Sequence, residues 1–311
     1  MKRRAFLKNT SLLTLSAGLF SCSKSLDDYA APQSADLKVA FISDAHVEPG
    51  FEDKVRKAIR HLNSQTIKPD FIINGGDTIM DSMSRDKDNV KAQWETWSRV
   101  MQQENKFPIY HTIGNHDIWG WKVPDPSIKT DPLYGKKWVV NQLGMKDRYY
   151  TFTKDRWKFI ILDSNRQSMD YFAGYLPELD SEQFRWLVKE LDTTSPHQHV
   201  CIVSHVPIVS FCAAIFSGSQ PNGDWVIPPF LLHIDSQKLT ELFSNYSNIR
   251  CCLSGHVHLQ DGVEFKGIQY YCNGSLSGRW WQGPFHGIEP AYALFEFKSD
   301  GSVSREIITY G

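Results

Sequence analysis

Five short clusters of carboxylate, amide and imidazole side chains punctuate the chain. They are Asp44-Ala45-His46, Gly76-Asp77, Gly114-Asn115-His116-Asp117, Ser204-His205 and Gly255-His256-Val257-His258. Carboxylate and imidazole together suit Mn, Fe or Zn, whereas an all-oxygen set suits Mg or Ca and a thiolate set a structural zinc. Each cluster alone says little: Asp-x-His is common by chance, Gly-Asp is usually a turn, and one His at a strand end is more often structural than a ligand. What they share is position, because each follows directly on a short apolar, β-branched run.

Those runs are 37–42, 71–73, 109–113, 200–203 and 249–253, with a sixth at 159–162. Several are apolar throughout, as in strands covered on both faces. Helical patterns lie between them: 55–62 puts Val55, Ile59 and Leu62 on one face, and 90–101 does the same with Trp94, Trp97 and Met101. Asp180 followed by Gln183 reads as a capping box opening a helix through Leu191. The second half is richer in hairpins, around 263–265 and around Asp300-Gly301. A layered α/β fold with a mixed sheet follows. The carboxyl ends of strands converge in open α/β sheets, so residues spread from 44 to 258 can meet at one place. Gly76, Gly114 and Gly255 precede ligand positions, where a tight turn or close backbone approach favours a residue without Cβ.

Taken in order, these clusters resemble the pattern of the calcineurin-like metallophosphoesterase superfamily: D-x-H, G-D, G-N-H-D/E, a lone H and G-H-x-H. The resemblance spans Leu37 to His258. It implies a four-layer α-β-β-α sandwich of two mixed β-sheets flanked by helices, with two divalent or mixed-valence metal ions at the strand ends. By motif position Asp44, His46 and His258 would hold one ion, Asn115, His205 and His256 the other, and Asp77 would bridge them. His116 would face the leaving group, with Asp117 or Asp44 orienting it. His46, and the absence of Tyr in Thr78-Ile79-Met80, separate the chain from the purple acid phosphatase branch. The implied activity is phosphoester hydrolysis, with a phosphodiester first and a phosphomonoester or nucleotide pyrophosphate as alternatives. A catalytically silent envelope protein would be expected to lack a ligand or His116, and the sequence lacks neither.

The expected pocket walls come from residues following these motifs. Trp119 and Trp121 follow the third cluster, Arg166 the sixth strand, and Asn273, Arg279, Trp280 and Trp281 the last metal strand. Segment 211–230 lies between two ligand motifs and reads as an active-site loop.

Residues 1–22 read as an export signal: Arg3-Arg4-Ala5-Phe6-Leu7-Lys8 resembles a bacterial twin-arginine motif, and Leu19-Phe20-Ser21-Cys22 a lipoprotein processing site. The expectation is an envelope protein, acylated at Cys22, with a polar tether over 23–36 and a catalytic domain over 37–311. The short apolar run of the signal is too brief to span a bilayer, so the mature protein is expected to have no transmembrane helix. Acylation removes one of 6 cysteines and leaves an odd number, so Cys201, Cys251, Cys252 and Cys272 read as buried free thiols. With 34 basic against 35 acidic residues the chain carries no general nucleic-acid footprint, which favours a small phosphate ester as substrate.

Overall fold

The computed structural model describes residues 36–311; the expected export signal and all but the last residue of the expected tether lie outside the described residues. The elements in chain order are β1 (Leu37–Ile42), α1 (Glu52–Ser64), β2 (Phe71–Asn74), α2 (Lys87–Glu104), β3 (Ile109–His111), α3 (Lys136–Gln142), β4 (Tyr150–Lys154) and β5 (Trp157–Ile161). There follow β6 (Asn165–Gln167), β7 (Tyr175–Pro177), α4 (Ser181–Asp192), β8 (His199–Val203), α5 (Cys212–Ser217) and α6 (Ser236–Phe243). The chain closes with β9 (Ile249–Ser254), β10 (Gln260–Phe265), β11 (Ile268–Asn273), β12 (Ala291–Phe297) and β13 (Val303–Thr309).

Two mixed sheets form. The first runs β13-β12-β1-β2-β3, with β1, β2 and β3 parallel and β12 antiparallel to β1. The second runs β10-β11-β9-β8-β5-β4, parallel through its centre and antiparallel at both edges. The period-2 alternation of side chains explains why both faces of each sheet are apolar. Val39, Phe41, Phe71 and Ile73 meet Phe159, Cys201, Val203 and Leu253 between the sheets. The residues in between point the other way: Ala40, Ile42 and Ile72 pack on Val55, Ile59 and Leu62 of α1 and on Trp94 and Trp97 of α2. Ile160, Val200 and Ile202 do the same against Leu187 of α4 and Leu239 and Phe243 of α6. This is the four-layer α-β-β-α arrangement, and each fully buried aliphatic or aromatic side chain contributes roughly 1.5–3 kcal/mol to it.

Two local expectations shift, and the cysteine reading stands. Asp180 does cap α4, accepting from the amides of Glu182 and Gln183, but Gln183 does not reciprocate. Its side-chain amide instead exchanges two hydrogen bonds with the backbone of Asp163, at 2.8 and 2.9 Å, tying α4 to the end of β5. Strand β4 and the β6–β7 hairpin escape the sequence reading because short half-exposed strands carry no continuous apolar signal. The cysteines within the described residues are free, four of them buried and Cys212 partly exposed.

Candidate dinuclear metal site

The loops leaving β1, β2, β3, β8 and β9 bring all seven proposed ligands together at one edge of the two sheets. Asp44, His46 and His258 offer ligand atoms within 4.8 Å of one another, and so do Asp77, His205 and His256. Asp77 Oδ2 lies 3.2 Å from His205 Nε2 and 3.8 Å from His46 Nε2, between the two groups. Asn115 Oδ1 lies 3.2 Å from His205 Nε2. Five of the seven, Asp44, His46, Asp77, His256 and His258, have positive φ. Such a left-handed residue turns the chain sharply at the strand end, which costs energy and clusters at functional sites.

The outer nitrogens of the histidines show what the inner ones do. Nδ1 of His205 donates to the Gly75 carbonyl (2.8 Å), Nδ1 of His258 to Gly278 (2.7 Å), and Nε2 of His256 to Phe230 (2.8 Å). Fixing one ring proton on a backbone carbonyl leaves the other nitrogen as a lone pair, the usual support of a metal-bound imidazole. The inner nitrogens of His205 and His256 then face each other at 3.2 Å, beside Asn115 Oδ1 and the Asp77 carboxylate. A buried set made only of acceptors fits a cation and little else. The titration of the groups points the same way. Burial would lower the His205 imidazole, but the Asp77 and Asp44 carboxylates outweigh it and hold its pKa at about 9, so without a metal ion a proton takes the Nε2 position that the ion would claim. Burial would raise Asp44, yet the neighbouring His258 and His205 hold it at about 2. His256 falls to about 4 through burial and the charge on His205.

Two glycines matter for space rather than for φ. A Cβ on Gly114 would run into the Asp77 backbone and carboxylate, and one on Gly255 into Ser43 Oγ and the Asp44 carboxylate. The third, Gly76, adopts φ +97 and meets Gly114 and His205 closely, so it needs both freedoms.

His116 lines the cavity beside the ligand groups, its ring 4.8 Å from that of His46 and edge-on to it. Its orienting partner is neither Asp117 nor Asp44. Nδ1 of His116 donates to the Met80 carbonyl at 2.6 Å, and its backbone amide donates to Asp77 Oδ1 at 2.8 Å. Asp117 instead accepts from the amides of Thr78, Ile79 and Gly114, stitching the β2 and β3 loops together. Burial and the nearby Asp77 charge raise Asp117 to about 7.

A cavity of about 360 Å³ opens onto these residues. Trp280 lines it, with its ring 4.7 Å from that of His258 and 5.7 Å from that of His46. Trp281 holds it there by donating Nε1 to the carbonyls of Ala45 and His46 at 2.9 and 3.2 Å, and both tryptophans have positive φ. The other expected walls lie elsewhere. Trp119 is core: its Nε1 donates to the Arg85 carbonyl and its ring packs edge-on against Trp138. Trp121 is also buried, beneath Lys136. Asn273 is buried and spends its amide on the carbonyls of Ser254 and Tyr271. Arg166 pairs with Glu178, and Arg279 is exposed and absent from the cavity lining. The sequence reading missed Tyr175 at the start of β7 and Lys122, Phe172 and Phe285 from loops, none of which belongs to a motif. Of segment 211–230, Phe216 and Phe230 reach the cavity.

The profile of the calcineurin-like phosphoesterases matches residues 37–260, which holds every residue of the cluster. The chain belongs to that family. As a calcineurin-like phosphoesterase it is a phosphoric ester hydrolase, whose chemistry rests on divalent metal ions. It is similar to the 3',5'-cyclic adenosine monophosphate phosphodiesterase CpdA of Haemophilus influenzae, 20% identical over 81% of this chain and 78% of that one. It also resembles a 3',5'-cyclic-nucleotide phosphodiesterase of Nostoc sp., 24% identical over 68% of this chain and 70% of the relative. In fold it matches a dimetal phosphatase from Danio rerio with TM-score 0.58 and 17% identity, covering 88% of this chain and 99% of that one. It likewise matches GAP50, an anchor in the inner membrane complex of Plasmodium, with TM-score 0.54 and 16% identity over 89% and 85% of the two chains.

Proposed function

We propose that this chain hydrolyses a phosphodiester at a pair of divalent ions, drawn from Mn, Fe and Zn. Asp44, His46 and His258 would hold one ion, Asn115, His205 and His256 the other, and Asp77 both. Ions held there supply Lewis acidity toward water and toward the phosphoryl oxygens. The observation that carries this reading is the all-acceptor set around His205 and His256, with the outer ring nitrogens already committed to backbone carbonyls.

The chain's own residues do the rest. The Met80 carbonyl holds the Nδ1 proton of His116, which leaves Nε2 as the nitrogen that would donate to the leaving oxygen. Asn115 contributes an oxygen without charge, which spares the incoming phosphate one repulsion. Trp280 forms a flat wall over His46 and His258 and keeps water from that side. The two cyclic-nucleotide phosphodiesterase relatives support the diester over the monoester. Export by the twin-arginine motif and acylation at Cys22 would place this activity on the envelope.

The test strips the protein with a chelator, reloads it with Mn, Fe or Zn in turn, and compares bis-aryl phosphate, aryl phosphate and 3',5'-cyclic AMP. Turnover of a diester above the monoester with at least one metal supports the reading. No turnover with any metal ends it.

A further inference from the structure

The walls of the cavity are unlike its floor. Ten large apolar side chains stand exposed among the described residues, and seven of these lie on two segments, 169–172 and 211–226. Met169, Phe172, Phe211 and Trp225 are 67%, 71%, 62% and 57% exposed. The first segment meets the chain four residues past the second, since the Phe172 ring stands edge-on to Phe230 at 5.8 Å. An apolar patch of this kind on one side of a molecule marks a surface that something covers.

The patch is continuous with the site. Rings lead outward from the ligands: His258 to Trp280 at 4.7 Å, Trp280 to Phe285 at 5.7 Å, and Phe285 to Phe216 at 5.9 Å. Phe172 and Phe216 belong both to the cavity and to the exposed rim. The charge is as telling as the hydrophobicity. Neither 167–175 nor 205–237 contains a Lys or Arg, and the stretch 211–231 holds a single charged residue, Asp224. A protein or nucleic-acid partner recognised by charge has little to grip here, whereas a hydrocarbon surface needs nothing else.

We propose that the phosphoester is an amphiphile, with its phosphate at the ligand cluster and a long hydrocarbon group along Trp280, Phe285 and Phe216, taken from a lipid surface on which the rim rests. This rests on the phosphodiesterase reading and names its substrate class. The two rim segments carry no basic residue of their own, and Lys122 stands beside Gly174 at the cavity, so contact is mainly hydrophobic and salt and lipid charge have only a small influence on it.

The experiment uses the full chain and a series of alkyl aryl phosphodiesters that share one aryl leaving group, with methyl to octyl chains, kept below their aggregation limits. The expected result is a rise in kcat/KM of at least about tenfold from methyl to octyl, the partial burial of several methylenes. A second arm places a long-chain ester in phosphatidylcholine vesicles and compares the wild type with Phe211→Ser/Trp225→Ser, whose side chains lie outside the cavity lining. The variant should lose about fivefold or more on the vesicle-borne ester, an estimate from the apolar area removed, and keep its rate on the methyl ester. A flat chain-length series with the methyl ester turned over, or a variant unimpaired on vesicles, overturns the proposal and leaves the diesterase reading intact. Failure to hydrolyse the methyl ester with any metal instead defeats the diesterase reading itself.

Discussion

The loops that leave β1, β2, β3, β8 and β9 and the two segments that rim the cavity differ in almost every physical respect. The first bury polar side chains and satisfy most of them from within: Asp44 accepts the His256 amide, Asp117 three amides, and His205, His256 and His258 donate to backbone carbonyls, while His46 Nδ1 finds no partner. The rim segments expose apolar side chains and leave them to whatever comes from outside. The floor is thus defined by the chain alone, the rim by the chain and an occupant. Substitutions in the floor should cost function and fold together, and substitutions in the rim should cost neither until the occupant is present.

The largest effect is expected at Asp77, which lies between both ligand groups. Asp77→Ala should lower kcat/KM on the order of a thousandfold or more and reduce metal content below two per chain, measured by elemental analysis beside kinetics. Full metal content with near-normal turnover would break the distinction between floor and rim at its strongest point. Next comes His116→Ala, which should retain its metal while losing roughly 10²–10⁴ in rate on esters with poor leaving groups. Equal loss on activated aryl esters would remove the acid role from this residue.

How far each region could be read from sequence follows from the same contrast. The floor was legible because a ligand must be of a few residue types and must follow a strand, so Asp44 to His258 stand out as a series. Its supports were not. The Met80 carbonyl that orients His116 is a backbone atom, available at every position and signalled by none. Trp119 and Asn273 look like wall residues by proximity to a motif, yet Trp119 turns into the core against Trp138 and Asn273 onto the carbonyls of Ser254 in β9 and Tyr271 in its own strand. The sheet order was legible in part: continuous apolar runs mark β1, β2, β8 and β9, while the half-exposed β4 and the three-residue β6 and β7 carry no period long enough to detect. The rim is apolar without periodicity, and only three dimensions reveal that Phe172 of one segment meets Phe230, just past the other.

Smaller effects sharpen the comparison in the scaffold. His111, at the end of β3, is buried and neutral, and burial lowers its pKa from 6.5 to about 4. The unfolded chain therefore takes up a proton near pH 6.5 that the folded chain refuses until about pH 4. Stability contributed above pH 6.5 is lost as pH falls through that window, by about 3 kcal/mol at most. Denaturant unfolding at several pH values should show a shallower acid slope for His111→Gln; an unchanged slope would contradict this assignment. Gly255→Ala should cost about 1–3 kcal/mol, because its Cβ meets Ser43 and Asp44 in a packed interior. Thermal unfolding and activity should fall together, and a variant as stable as wild type would show that the floor is looser than its contacts suggest. The smallest effect belongs to the rim: Trp225→Ser should leave stability within about 0.5 kcal/mol of wild type. A large loss would make this surface part of the core rather than a place for an occupant.

The most direct test of the account is to titrate chelator-stripped protein with Mn(II) and follow binding by calorimetry and electron paramagnetic resonance. One cage shared through Asp77 predicts two ions per chain with the exchange-coupled signal of a close pair. A single uncoupled ion, or none, would contradict it.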